Sequence, residues 1–232
     1  MTDIVKVCWS GGKDSTCSVL KHLEAGHYVK AVNYIPMLTK EIPLILKDHY
    51  EHILQTAQKF REMGAEVYST TGITYYDFVH KRSTRGKYKG RAFGFPPFIA
   101  SKCNFKRDSK ERKALLIIDV GEYDYEDIGL AADEPERHKL LTEKKRSILI
   151  EQGITEAEAL EYCYKQGFLS PIYIKHGLWR DGCALCPQAP ERERQIYFKD
   201  YPEAIRIVIE LQNFVKRERP EQTPLRNHKW FI

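Results

Sequence analysis

The chain has 232 residues, of which 42% are hydrophobic and 30% charged, with a formal net charge of +5. That length buries a sizeable core in one α/β domain with room for a small appended lobe, and the composition excludes a disordered chain. No apolar run reaches the roughly 18 to 20 residues of a membrane span, and Met1-Thr2-Asp3-Ile4-Val5-Lys6 lacks the basic and apolar regions of a secretory signal. These features place the protein in the cytoplasm with no membrane partner.

In chain order, Ile4 to Trp9 reads as a buried strand, short and apolar. Ser10 to Ser15 is a tight turn, and a helix follows from about Asp14 to Ala25, with Cys17, Leu20 and Leu23 inward and Gly26 as its stop. Val29 to Ile35 is a second strand. The next helix carries Tyr50, Ile53, Leu54, Ala57 and Phe60 at three- and four-residue spacing and ends at Gly64. Ala65 to Thr70 is a third strand.

Strand, helix, strand, helix, strand predicts an α/β, Rossmann-like, mostly parallel sheet with helices on both faces. Ligands gather at the carboxyl ends of strands in such sheets. From Lys81 to Asp108 the chain is basic and rich in turn residues, and Ala114 to Val120 is compatible with a strand or a buried helical turn. Tyr125 to Ala131 reads as a further strand. Thr155-Glu156-Ala157-Glu158 is a capping box opening a helix that Gly167 closes, and a last helix runs from about Pro202 to Arg217 with Ile205, Val208, Ile209 and Val215 inward. Residues 1–232 read as a single domain, 1–135 forming the α/β core that carries the glycine loop and 136–232 a small cysteine-containing helical part.

A strand that runs through Ser10-Gly11-Gly12-Lys13-Asp14-Ser15 into a helix builds an anion site. The first helical N–H groups lack intrahelical partners, and the helix dipole concentrates positive charge there. Gly11 and Gly12 let backbone approach an oxyanion, Ser10 and Ser15 offer hydroxyls, and Lys13 neutralises developing charge. Asp14 suits a Mg²⁺ ligand or an orienter of neighbouring donors. Neither a GxxxxGK[ST] nor a GxGxxG pattern is present, which excludes ordinary P-loop ATPases and dinucleotide dehydrogenases.

These residues resemble the PP-loop of the adenine nucleotide alpha-hydrolase superfamily, the N-type ATP pyrophosphatases. The rest of the chain looks like the phosphoadenylylsulfate (PAPS) reductase family within it. Ile128-Gly129-Leu130-Ala131-Ala132-Asp133-Glu134-Pro135-Glu136-Arg137 is similar to that family's strand ending in a Glu-Ser-x-x-Arg-like segment. Pro171-Ile172-Tyr173, then Gly177, Arg180, Gly182, Cys183, Cys186 and Pro187, resembles its later Gly-x-x-Arg-x-Gly-Cys-x-x-Cys-Pro stretch.

The resemblance implies a HUP-type fold and ATP as ligand (or PAPS or adenylyl sulfate), with Mg²⁺. It makes Lys13, Asp14 and Ser15 the catalytic residues of the loop, and Arg137 and Arg180 binders of phosphate or sulfate. A surface ion pair is the competing role for each arginine.

Six cysteines occur, and in a reducing compartment they are thiols or metal ligands rather than disulfides. Cys183 and Cys186 form a CxxC turn, and Cys103 falls where adenylylsulfate reductases carry a cysteine pair that completes a [4Fe–4S] site. Three thiolates match. They are compatible with a cluster that leaves one iron open, with Zn²⁺ completed by a nitrogen such as that of His176, or with no metal. Cys8, Cys17 and Cys163 read as core.

The cysteine of the reductases' C-terminal Glu-Cys-Gly-Ile-His motif has no counterpart after Cys186, so the expected thiosulfonate intermediate cannot form. The leading expectation is therefore ATP cleavage to AMP and pyrophosphate with adenylation of an acceptor, followed by iron–sulfur-assisted sulfur transfer from an external thiol or sulfur donor. The basic stretch Lys81, Arg82, Arg85, Lys87, Lys89 and Arg91 is compatible with a solvated loop or with a flap over a polyanionic acceptor such as tRNA, DNA or a nucleotide. The competing readings are reduction of PAPS or adenylyl sulfate by an external thiol, and a non-catalytic nucleotide- or nucleic-acid-binding subunit. The oligomeric state is left open, a homo-oligomer included.

Overall fold

Ile4–Trp9 (β1) lies at the centre of a five-stranded sheet in the computed structural model, which describes residues 2–96, 98–99, 102–109, 118–179, 182–186 and 188–222. The chain folds into two compact units that interleave along the sequence. The first is Met1–Tyr34, Asp48–Thr70 and Ile118–Asp181, and the second is Ile35–Lys47, Thr71–Ile117 and Gly182–Ile232.

The first unit holds the sheet. Lys13–Glu24 (α1) follows β1, Tyr28–Tyr34 (β2) is followed by Lys47–Glu62 (α2), and Glu66–Thr70 (β3) forms one edge. Tyr125–Ile128 (β6) and Lys145–Arg146 (β7) complete the order β3-β2-β1-β6-β7, and every pairing is parallel. This is the expected Rossmann-like α/β fold. Along β1 the side chains alternate, with Val5, Val7 and Trp9 buried, as the two-residue period of a strand requires.

The α2 stripe is His49, Ile53, Thr56, Ala57 and Phe60, whereas Leu54, expected inward, is 47% exposed. A residue one position past Ile53 is turned about 100° away from the sheet. Phe60 is fully buried between Trp9, edge-on at 5.1 Å, and Phe168, stacked at 5.4 Å. Cys17 and Cys163 are core, packed with Ile148, Leu149 and Ala159, but Cys8 is only half-buried and its thiol donates to Glu126 Oε1 at 3.2 Å.

The strand expected over Tyr125 to Ala131 stops at Ile128. Of the ambiguous stretch Ala114 to Val120, residues 114–117 lie outside the described residues and 118–120 have no regular structure. Pro135–His138 (α5), Ile148–Glu151 (α6), Glu156–Lys165 (α7) and Pro171–Ile174 (α8) complete this unit, and both arms of the Thr155–Glu158 capping box are made.

The second unit contains Tyr75–His80 (α3), the antiparallel pair Phe98–Ile99 (β4) and Lys102–Cys103 (β5), and Asn104–Lys106 (α4). The long helices Glu191–Asp200 (α9) and Pro202–Glu218 (α10) complete it. Its core is aromatic: Tyr75 and Phe78 both meet Phe105 edge-on, at 5.2 and 5.6 Å, and Phe78 meets Phe93 at 5.4 Å. On α10 the buried stripe is Ala204, Val208, Leu211 and Val215, so Ile209, expected inward, stands 45% exposed. Among the described residues, no helix is long and apolar enough to cross a membrane.

Truncating this ring, held by one edge-on and one stacked neighbour, in Phe60→Ala is expected to cost about 3–5 kcal/mol. The check is a lowered urea midpoint at unchanged slope.

Candidate functional site

β1 has β2 on one side and β6 on the other, and the chain leaves β1 toward β2. The carboxyl end of β1 is therefore the switch point of the sheet, where open α/β sheets form a crevice. Residues Ser10 to Ser15 occupy it. The carbonyl of Trp9, the last residue before the turn, accepts from the buried Asn33 side chain at 2.8 Å.

Two glycines let backbone elements meet here. Gly11 has φ of +87°, and a Cβ on it would fall 2.5 Å from Ile53 Cγ1. Gly129 directly follows β6, and a Cβ there would fall 2.7 Å from both Cα and N of Ser15. Neither position admits a side chain without displacing its neighbour, and for Gly129 the neighbour is the first turn of α1 itself.

Gly12 is the N-cap of α1 and supplies no side-chain cap. The loop's own hydroxyls instead tie the turn to itself. Ser15 Oγ accepts from Ser10 N–H at 3.0 Å, lies 3.1 Å from Ser10 Oγ and donates to the Gly12 carbonyl at 3.2 Å, while Gly12 N–H donates to Ser10 Oγ at 3.3 Å. Lys13 N–H donates to Tyr173 Oη at 3.2 Å, and the Cys163 thiol donates to the Lys13 carbonyl at the same distance. The turn is thus held in shape by donors and acceptors an anion could exchange with.

The Lys13 ammonium is largely buried. It donates to both oxygens of Asp14, at 2.8 and 3.0 Å, and to Glu156 Oε2 at 2.9 Å. Burial alone pulls its pKa down, but the bonds to Asp14 and Glu156 outweigh it and the pKa is raised above 10.5. For Asp14 the balance runs the other way: burial raises its pKa, Lys13 lowers it, and the charges of Glu156 and Glu134 add to the rise. A cation bound this way is fully charged at neutral pH, while its nearest carboxylate is held against its preference.

Glu134 links the loop to Arg137, whose Nη1 donates to Glu134 Oε1 at 2.6 Å. With its side chain 51% exposed, Arg137 makes the surface ion pair weighed against phosphate binding. Arg180 lies outside the described residues.

The three cysteines expected as metal ligands fall in the second unit: Cys103 on β5, Cys183 and Cys186 in a turn closed by Cys186 N–H to Cys183 O at 2.9 Å. All three lie around one buried phenol. Burial drives the pKa of Tyr75 well above 10, and the charges of Cys103, Cys183 and Cys186 add to it. Sharing a neighbour is weaker than sharing a metal. Among the described residues, no three His, Cys, Asp or Glu side chains are grouped so as to hold a metal ion.

The donors are chemically right for iron–sulfur or zinc, and Cys103, Cys183 and Cys186 all act electrostatically on Tyr75 within the second unit. The nitrogen considered for zinc, on His176, instead meets Asp48 Oδ2 at 2.7 Å.

No family model and no curated protein matches the chain. Among solved structures it is similar to a 4-thiouridine synthetase, crystallised as an RNA complex with bound ATP, at 16% identity and a TM-score of 0.47. The likeness covers 90% of this chain and 53% of that one, so the chain spans about half the length of the synthetase. At that distance the fold class rests on the parallel sheet and its order, not on the likeness.

Glu156, Gly129, Asn33 and Tyr173 join the site from distant parts of the sequence. Glu156 stands between Thr155 and Glu158, the two residues that make the capping box, and nothing in that motif reports its reach to Lys13. Replacing its charge in Glu156→Gln removes a repulsion from Asp14 and leaves Lys13 to Asp14 alone. The ¹³C-detected titration midpoint of the Asp14 carboxyl is expected to move to lower pH, toward the ordinary aspartate range.

Proposed function

We propose that this chain is an adenine-nucleotide-binding enzyme of the PP-loop, PAPS reductase-like type, which cleaves ATP to AMP and pyrophosphate while adenylating an acceptor. The observation that carries the reading is the Ser10–Ser15 turn. It stands at the switch point of a parallel sheet, glycine-bare on two sides, with the buried Lys13 ammonium at the start of α1.

In this reading, the acceptor oxygen attacks the α-phosphorus, the bond from that phosphorus to the bridging oxygen breaks, and pyrophosphate leaves. The α1 amides and Lys13 hold the negative charge that grows on the α- and β-phosphates. Phosphate oxygens take the place Asp14 and Glu156 now fill around the ammonium. Asp14, once released, is the carboxylate that would hold magnesium, which binds through one or two carboxylates when phosphates supply the rest of its shell. Arg137 is a proposed phosphate ligand that would exchange its pairing with Glu134 for phosphate oxygens, and Arg180 is proposed on its sequence match alone.

Lys13→Ala is expected to lower magnesium-dependent pyrophosphate release at least about 10²-fold, the cost of losing one preorganised donor at a developing charge. Circular dichroism should stay unchanged. Release that persists undiminished in a folded Lys13→Ala protein would falsify the reading.

The proposed second step is sulfur transfer from a hydrosulfide-class donor: the hydrosulfide sulfur attacks the acceptor carbon, the bond from that carbon to the adenylate oxygen breaks, AMP leaves with its electron pair, and the sulfur's proton passes to solvent. Supporting it are the three thiols of Cys103, Cys183 and Cys186 around Tyr75. No step is routed through a metal. Cys183→Ser with Cys186→Ser should abolish incorporation of ³⁵S into the acceptor while leaving pyrophosphate release within about twofold. Unchanged ³⁵S incorporation removes the second step and leaves the first.

A further inference from the structure

Helix α10 shows two stripes. One, Ala204 to Val215, is buried. The other runs Arg206, Ile209, Glu210, Phe214 and Arg217, at helical three- and four-residue spacing. Together with His80 at the end of α3, it lines an open groove of about 510 Å³.

Flat surfaces line up along this groove. The His80 ring centre lies 4.4 Å from that of Tyr76 and 4.0 Å from that of Phe214, and the Arg217 guanidinium is 5.8 Å from the Phe214 ring centre. His80 Nδ1 is 2.9 Å from the Tyr76 carbonyl, which places its proton there and leaves Nε2 as an acceptor. The acid of the groove, Glu210, accepts from the Tyr76 hydroxyl at 2.5 Å. Arg206 and Arg217 are exposed.

The basic segment from Lys81 to Arg91 is tied to the C-terminal end of α10. Residues 81–93 form a hairpin clipped to the end of α10. Arg82 pairs with Glu218 at 3.1 Å, and Arg219 donates to the carbonyls of Ala92 and Phe93 at 2.8 and 3.2 Å. Near its tip Tyr88 is 48% exposed beneath the Arg219 guanidinium, at 5.5 Å, and Arg85 and Lys89 are exposed beside it. Aromatic faces and cations thus alternate from groove to hairpin.

That pattern selects its ligand. An amphipathic peptide helix needs an aliphatic groove, and Ile209 is the one aliphatic side chain lining this one. An acidic peptide would use the cations but not the rings. A nucleic acid strand uses both, bases stacking on the aromatic faces and phosphates meeting guanidinium groups.

We propose that the α3–α10 groove and its hairpin bind a single-stranded nucleic acid. The inference rests on the adenylation reading only for the strand's purpose, which is to carry the group that is adenylated.

The test is fluorescence anisotropy of the full chain with labelled single-stranded 12-mers of RNA and DNA, without ATP. Affinity should fall linearly with the logarithm of salt concentration. Arg206→Ala with Arg217→Ala should weaken it at least about 10-fold and flatten the salt slope by about 1.4, two phosphate contacts on a single strand. Phe214→Leu, which keeps the packing but removes the ring, should weaken it about 5- to 100-fold.

Unchanged affinity in the folded double-arginine variant overturns the inference, as does equally tight binding of a glutamate oligomer of matched charge. No strand binding by a protein that still releases pyrophosphate overturns this inference alone. Strand binding by a protein that releases none overturns the adenylation reading alone.

Discussion

The first turn of α1 lies so close to the carboxyl end of β6 that one methyl group on Gly129 would fall 2.7 Å from the backbone of Ser15. Everything at the candidate site follows from this approach. With α1 seated against the sheet, its first turn stands at the carboxyl end of β1, and Gly11 allows the chain to turn into it with φ of +87°. Asn33, fully buried on β2, holds the Trp9 carbonyl and fixes the point where strand gives way to loop.

The charges arranged on that frame are unequal in comfort. Lys13 is satisfied by two carboxylates, while Asp14 is pushed by burial and by Glu156 and Glu134 toward its protonated form. Under the proposed function, a polyphosphate relieves this arrangement by replacing one or both carboxylates around the ammonium, and it exchanges hydrogen bonds the loop now makes to itself. Under the proposed function, the same substitution gives the site a preference for polyphosphate over monovalent anions, because several oxygens must be supplied at once.

The second unit has a different chemistry. Its aromatic core surrounds Tyr75 with three thiols, and α10 turns a basic and aromatic stripe outward. A helix that is apolar on one face and ringed with arginine and phenylalanine on another is more than a packing element. The two units thus divide the proposed work: oxyanion binding in one, sulfur chemistry and recognition of a strand in the other.

Local pattern was enough for the strand–turn–helix of Ile4 to Glu24, the α2 stripe at Ile53, Ala57 and Phe60, and the Thr155 capping box. Each is decided by interactions within a few residues: alternation, helical period, and a side chain reaching a neighbouring amide. It was not enough for Leu54 and Ile209, whose apolar side chains fit the period yet face outward, since period alone does not say which part of a wide stripe meets a partner.

The sequence by itself therefore determined the parallel α/β frame and the loop that faces its switch point. The tertiary structure alone decided that Glu156 reaches Lys13 across 143 positions, that Gly129 seats the first turn of α1, and that Cys103 and the Cys183–Cys186 turn all act on Tyr75. Contacts between residues far apart in the chain depend on how whole elements pack, and no local period records that packing.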